Sequence, residues 1–207
     1  MKIDRLIQST FLIVLLAWGS SSFAIGLGFT SVSGSETWDN NNTSGSTDHD
    51  VDAKGFMFDT NVAKNRLFNY RFTYQNEENK QSNGDFKFKG YTIANDFGFG
   101  AFRNQWVRLW IGPRFTTTAY DKVTIGGVTR GTDVVGIAYG PVIGINVNFP
   151  QVVSLSVTTG RMIGGGYVGN IDNFSGTGSS IFGDDVDVDV TGSFINISVV
   201  FRIADNF

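Results

Sequence analysis

A single histidine and no cysteine leave this 207-residue chain little imidazole chemistry and no thiol chemistry. The histidine, His49, lies in the run Ser44-Gly45-Ser46-Thr47-Asp48-His49-Asp50-Val51-Asp52. A hydrolase built on serine would need that imidazole held against a hydroxyl. A lone histidine between acids in a polar run reads more simply as a solvated loop residue, so no catalytic residue is assigned and no enzyme is expected. Asp184, Asp185, Asp187 and Asp189 could offer oxygens to a calcium ion, a hard cation that takes six to eight of them. Their spacing is not that of an EF-hand, and Val186, Val188 and Val190 alternate with them. The simpler reading is a strand with its acids in water, and no metal or cofactor is assigned. Gly126-Gly127 and Gly164-Gly165-Gly166 follow no strand that opens into a helix, which excludes a phosphate loop.

The elements that position side chains here are strands. From Phe194 onward Ile195, Ile197, Val199, Phe201 and Ile203 share one face and Asn196, Ser198 and Arg202 the other, the period-two pattern of a pleated strand. Eight segments follow it: about 25–34, 55–63, 67–75, 86–102, 105–118, 134–149, 152–162 and 194–207. The third has a fully aromatic face of Phe68, Tyr70, Phe72 and Tyr74, and the sixth sets Val135, Ile137, Tyr139, Ile143 and Ile145 against Gly136, Ala138, Gly140 and Gly144. Asn95 interrupts the apolar face of the fourth, where a bulge or an exit from the apolar band is expected. Pro113 and Pro141 cannot donate to a ladder, so each demands a bulge or a local break.

The connections alternate in length. Long polar segments at about 35–54, 76–85, 119–133 and 163–187 take turns with tight joins at Lys64-Asn65-Arg66, Arg103-Asn104 and Pro150-Gln151. Long outward loops and short inner turns are the asymmetry of outer-membrane barrels. A soluble sandwich or soluble barrel is the competing reading, but its wet face would be dense in Lys, Glu and Thr. The opposing faces here are Gly, Ala, Ser and Asn with isolated charges, which suits the cramped interior of eight strands. The charges on those inner faces are Asp59, Arg71, Asp96, Arg108, Arg114 and Arg202. Unpaired burial is costly, so Asp59 and Asp96 are expected to bridge arginines, with Arg108 and Arg114 as the compensating pair. A packed polar plug is expected in preference to a conduction path.

Residues 1–24 have the layout of a cleavable signal peptide: Lys2 and Arg5, an apolar run from Phe11 to Trp18, and Ser22-Phe23-Ala24 before the cut. Residues 25–207 then form one domain. A net charge of −3 and a pI near 5.0 give no basic footprint for nucleic acid. The leader, eight alternating strands, alternating connections and C-terminal Phe207 together resemble the small outer-membrane β-barrel proteins of the OmpX, OmpA membrane domain and OmpW type. That resemblance implies an all-β, eight-stranded antiparallel up-and-down transmembrane barrel in a bacterial outer membrane, monomeric, surrounded by outer-membrane lipids. It further implies insertion by the barrel-assembly machinery with Phe207 closing the assembly signal; a departure from the OmpA type is expected, in that no periplasmic domain follows the last strand. The role expected is surface interaction or envelope integrity through the outward loops; a narrow channel for small or hydrophobic solutes and a lipid A-modifying enzyme are the alternatives.

Overall fold

The computed structural model describes residues 25–42, 45–60, 67–149, 152–172 and 185–202. The leader, Phe207, Asp184 and the tight joins at 64–66 and 150–151 lie outside the described residues. Among the described residues there are ten strands: β1 (Gly26–Asn40), β2 (Ser46–Asp59), β3 (Phe68–Gln81), β4 (Phe86–Arg103), β5 (Val107–Ile125), β6 (Val128–Gly131), β7 (Val135–Asn148), β8 (Val153–Met162), β9 (Gly164–Asn170) and β10 (Asp185–Arg202). All neighbours are antiparallel. β8 and β9 are one stave interrupted at Ile163, and both pair with β7 and β10. Pairing runs β1 to β5 in order, then to β7, then to β8 and β9, and β10 closes on β1, so eight staves form a ring with no edge. β6 is the return arm of a short hairpin on β5.

The staves are much longer than the alternation of apolar residues predicts. Residues 35–40 and 46–54, expected as loop, are a paired hairpin. Residues 76–81 belong to β3, 119–125 to β5 and 164–170 to β9, and β10 starts nine residues before the expected strand. The reason is a change in what each face carries while its parity stays fixed. Along β2 the outward residues are Asp48, Asp50, Asp52, Lys54, Phe56 and Phe58; along β3 they are Lys80, Glu78, Asn76, Tyr74, Phe72, Tyr70 and Phe68. β2 and β3 are thus sheathed in apolar side chains at the turn end and in charged ones at the loop end, whereas β7 carries no charged residue and stays apolar outward from Val147 to Val135. Phe56, Phe68 and Ile137 are at least 60% exposed, and rings pair around this belt, Phe29 with Phe56 at 5.3 Å and Phe68 with Phe99 at 5.6 Å between centroids.

The interior does the opposite. At the level of the belt it is polar, and beyond the belt it fills with Trp38, Phe86, Phe88, Tyr120, Val123, Val134, Tyr167, Ile171, Val186, Val188 and Val190. The alternation of Asp187 and Asp189 with those valines is therefore a strand extension with its acids outside, as the sequence indicates. His49 is a correction: it is fully buried and stacked on Trp38, with centroids 4.2 Å apart, because it shares the inward parity of Val51 and Ala53.

Asn95 marks no bulge. It stays in register with Phe72 and Phe115 and accepts a hydrogen bond from the Tyr70 hydroxyl at 2.7 Å, which satisfies an amide on the apolar face. The register shifts of β4 fall at Lys89/Gly90 and Gly100/Phe102 instead. The prolines do mark local breaks. Pro113 faces Pro141 across β5 and β7, the β4–β5 pairing skips from Asp96–Arg114 to Phe99–Ile111, and β7 changes partner from β9 to β8 beside Pro141. Arg103-Asn104 turns tightly as expected, the Asn104 side-chain oxygen accepting the Trp106 and Val107 N–H groups.

The small inner face of β7 has a specific cause. A Cβ on Gly144 would overlap the Trp110 ring, which is fully buried across the interior, and one on Gly136 would overlap Tyr167. Gly144→Leu should lower the urea midpoint of the refolded barrel by an amount equivalent to at least about 1–3 kcal/mol, the usual cost of overpacking. A midpoint equal to wild type would mean that Trp110 is free to leave the interior.

Candidate functional site: the barrel interior

Four of the six predicted interior charges line up across adjacent strands. Asp59 on β2 is opposite Arg71 on β3, Arg71 is opposite Asp96 on β4, and Asp96 is opposite Arg114 on β5, so acid and base alternate around half the barrel. Two ion pairs result. Arg71 grips Asp59 Oδ2 through Nε at 3.2 Å and a terminal nitrogen at 2.9 Å, and donates to Thr158, Ser156 and Asn146 on the far wall. Its guanidinium also lies 5.0 Å from the Trp110 ring centroid. Arg114 holds Asp96 in a two-pronged contact at 2.6 and 2.7 Å and lies 4.1 Å over the Phe194 ring. All four side chains are at most 4% exposed.

The expected compensation is corrected in one respect. Arg71 is the direct cross-strand neighbour of Asp59 and forms the salt bridge to it, while Arg108, near enough for the Asp59 charge to act on it, donates to Asn69 Oδ1 at 3.2 Å. Arg202 reaches the Phe149 carbonyl at 2.6 Å, fastening the end of β10 at the turn end of the barrel.

Two inward acids were missed because they fall in segments expected as loops. Glu36 and Glu77 have the inward parity of β1 and β3 and lie beyond the belt, among the apolar filling. Glu36 accepts from Trp38 Nε1 and Asn79 Nδ2, each at 2.9 Å, and from the Tyr167 hydroxyl at 3.2 Å. Glu77 accepts from the hydroxyls of Tyr120 and Thr92, each at 2.5 Å. Burial, with the charge of Glu77 behind it, pushes the Glu36 carboxyl up to about 7, and burial raises Glu77 as well. Each tyrosine hydroxyl is held well above its ordinary range, first by burial and then by these carboxyls. His49 donates from Nδ1 to Asn79 Oδ1 at 2.6 Å and accepts at Nε2 from Thr47 at 3.0 Å, and burial lowers its imidazole to about 4. Continuing the period-two parity past Gly34 and Gln75, and back from Met57 along β2, would have found all three groups.

Four inward acids, Glu36, Glu77, Asp59 and Asp96, are therefore matched by four inward arginines, but the charge is spread along the axis. The arginines lie at belt level, and the two glutamates lie beyond it. A cavity of about 50 Å³, with Gln75, Thr92, Thr118 and Arg114 on its walls, lies between them and has room for about three water molecules. His49 faces the Thr47 hydroxyl, Asn79 and the Trp38 ring and is fully buried among packed side chains. The interior holds its charges in hydrogen-bonded pairs and among buried donors.

Neither a protein family nor a curated protein matches the sequence. Solved structures do match the fold. The outer membrane protein OprG from Pseudomonas aeruginosa aligns with a TM-score of 0.51 at 11% identity, over 87% of this chain and 95% of that one. Neisserial surface protein A aligns with a TM-score of 0.47 at 13% identity, over 87% and 99%. Ail of Yersinia pestis aligns with a TM-score of 0.36 at 12% identity, over 85% and 98%. At such identities the likeness to OprG shows the fold alone. That fold is the all-β, eight-stave ring of small outer-membrane barrels, as the sequence pattern implies.

Proposed function

We propose that the belt of this barrel lies in a bacterial outer membrane, with the long-stave end projecting outward as a sealed shaft. On this reading the chain is a non-enzymatic, monomeric surface protein that acts through its outer rim, in contact with other surfaces or in envelope integrity. The observation that carries it is the crossover of polarity at one level. Outward residues change from Asp, Lys and Glu to rings and branched aliphatics between Lys54 and Phe56, Asn76 and Tyr74, Lys89 and Tyr91, and Ser193 and Ile195. A soluble protein has no reason to bare so large an apolar area. Beyond that level an apolar filling closes the bore, so the shaft is a plug and a rigid stalk at once.

Planar-bilayer recording of the refolded barrel tests the seal. No discrete conductance steps are expected, and reproducible steps would overturn the closed-shaft reading. Orientation is tested separately by impermeant thiol labelling of intact cells. Asp48→Cys, Asn83→Cys and Val128→Cys should label and Asn104→Cys should not; the reverse pattern would overturn the topology. Thr47 is unsuited to this test because it is buried inside the shaft.

A second reading, a side route for apolar solutes, is favoured by the panel around the facing prolines. An apolar recess of about 330 Å³ opens on the belt surface at Pro113, Pro141 and Ile163, where the ladder is interrupted on both flanks and the Ile163 N–H to Tyr139 carbonyl bond bridges one of them, and Arg114 is among its lining residues. If this panel admits solutes, Pro113→Val with Pro141→Val, which restores two donors to the ladder, should slow uptake of an apolar tracer into barrel-containing vesicles. Unchanged uptake would dismiss it.

A further inference from the structure

The wall made by β7, β8 and β9 carries one charge. β7 and β9 have no charged residue, and the only one on β8 is Arg161. Arg161 is exposed and shares the outward parity of Val157, Thr159 and Ile163, so its guanidinium leaves the barrel on the face that bears the belt. Among the described residues that guanidinium has no hydrogen bond and no ion pair. Arg161 faces Ser193 on β10, and the nearest outward acid of that strand, Asp189, lies four residues farther on, about 13 Å at a strand rise of about 3.3 Å per residue. On the β10 side the arginine thus stands at the rim of the belt. On the other side apolar side chains continue beyond it: Ile163, Val168, Tyr139, Ile137 and Val135 are 48–64% exposed. An arginine on the lipid face costs more the deeper it lies, and ionisable groups kept there are paired.

Beside this arginine is the apolar recess, lined by Ile111, Pro113, Phe115, Tyr139, Pro141 and Ile163. Two observations set Arg161 at its edge. Ile163 is two residues on from it and on the same face, and the Arg161 carbonyl lies so close to Gly140, another lining residue, that a Cβ there would overlap it. The Tyr139 hydroxyl lies over Gly164 and adds a donor on the same rim. Arg114, which also lines the recess, is committed to Asp96, so the cation open to a ligand is Arg161. A volume of about 330 Å³ is at the lower end of ligand sites, enough for part of one hydrocarbon chain and too small for the several chains of a membrane lipid.

We propose that this wall binds a long-chain carboxylate, with its head on the Arg161 guanidinium and its single chain lying over Pro141 and Pro113 towards Ile111. The proposal rests on the belt lying in an outer membrane; it names an occupant for the recess and needs no passage through the wall. A guanidinium takes a carboxylate through two parallel N–H···O bonds, which gain strength where water is scarce. Ile111 lies on the turn side of Pro113, so the chain runs into the belt while the head stays at its rim. The apolar residues beyond Arg161 set it below the headgroup layer on the β7 side, where a compact carboxylate reaches and a bulky phosphorylated headgroup does not.

The test is photolabelling of the refolded full barrel in phosphatidylcholine nanodiscs, with a dodecanoate carrying a diazirine at its chain end as probe and peptide mass mapping as readout. In the wild type the label should concentrate on residues 111–115 and on Pro141. An excess of unlabelled dodecanoate should compete, and its methyl ester should not. Arg161→Gln should lower the labelling about tenfold, the worth of a charge-assisted pair of hydrogen bonds, and Arg161→Lys should keep part of it. Ile163→Trp, which fills the recess from outside, should lower it with Arg161 in place. Equal competition by the ester, labelling unaffected by Arg161→Gln or by Ile163→Trp, or label spread evenly around the belt would each overturn the proposal. So would displacement by phosphatidylglycerol as effective as that by dodecanoate, which would give Arg161 to a lipid phosphate. Folding of each variant is read from its heat-dependent gel shift. A barrel that inserts and labels evenly removes the site and leaves the belt standing; a wild-type barrel that fails to insert into bilayers removes the belt itself.

Discussion

Arg71→Leu is expected to lower the stability of the refolded barrel by about 3–5 kcal/mol, read from the urea midpoint in detergent, because it leaves Asp59 buried without its cation. The same substitution strips donors from Thr158, Ser156 and Asn146, which ties β3 to the β7–β8 wall across the bore. Arg108→Leu should cost less, about 1–2 kcal/mol, since Arg108 donates to a neutral amide while Arg71 already holds Asp59. Adding Asp59→Leu to Arg71→Leu should recover part of the loss, because removing both members of a buried pair is far cheaper than removing one. Equal losses at Arg71 and Arg108 would mean that the two arginines share Asp59. An Arg71→Leu barrel as stable as wild type that newly conducts ions would overturn the packed interior altogether.

The contrast between these arginines also marks how far the sequence could be read. Period-two parity places Asp59, Arg71, Asp96, Arg108, Arg114 and Arg202 inside, and all six are inside. Parity says nothing of register, however, and which arginine meets Asp59 depends on the turn joining β2 to β3 and on strand stagger. The loop end was legible in principle and was misread for a physical reason. An apolar-outside template ends where the sheath ends, at Phe29, Phe56, Tyr74, Tyr91 and Ile195, yet the strands continue with the polarity of their two faces exchanged. Beyond that point Thr47, His49, Val51 and Ala53 are the inward set and Asp48, Asp50 and Asp52 the outward one, a pattern of modest apolar content that reads as loop. The prolines were the reverse case. Their missing donors required a break wherever they sat, and both breaks are present.

The buried carboxyls make shaft stability depend on pH in a direction opposite to that of most proteins. Glu36 has its folded value raised, from an ordinary 4.5 to about 7. Its burial is favourable while it is protonated, so that contribution is fully present below the unfolded value and is lost as pH rises through the folded one. Glu77 is raised in the same sense and adds to the loss. The two carboxyls accept from donors on five strands: Trp38 on β1, Asn79 on β3, Thr92 on β4, Tyr120 on β5 and Tyr167 on β9. His49 works at the other end of the scale, since its lowered imidazole must take a proton on unfolding, and it removes stability only as pH falls from about 6.5 towards 4. The two contributions oppose each other between about pH 5 and 6.5, so the expected change is a weakening of the shaft as pH rises from about 6.5 to 8, by about 1 kcal/mol for Glu36, where only the raised carboxyls still titrate. Tryptophan fluorescence in urea, dominated at this end by Trp38, follows it, and Glu36→Gln should flatten the slope. A midpoint that rises with pH across this window would mean that both carboxyls are charged and compensated inside the shaft, and that its filling is wet.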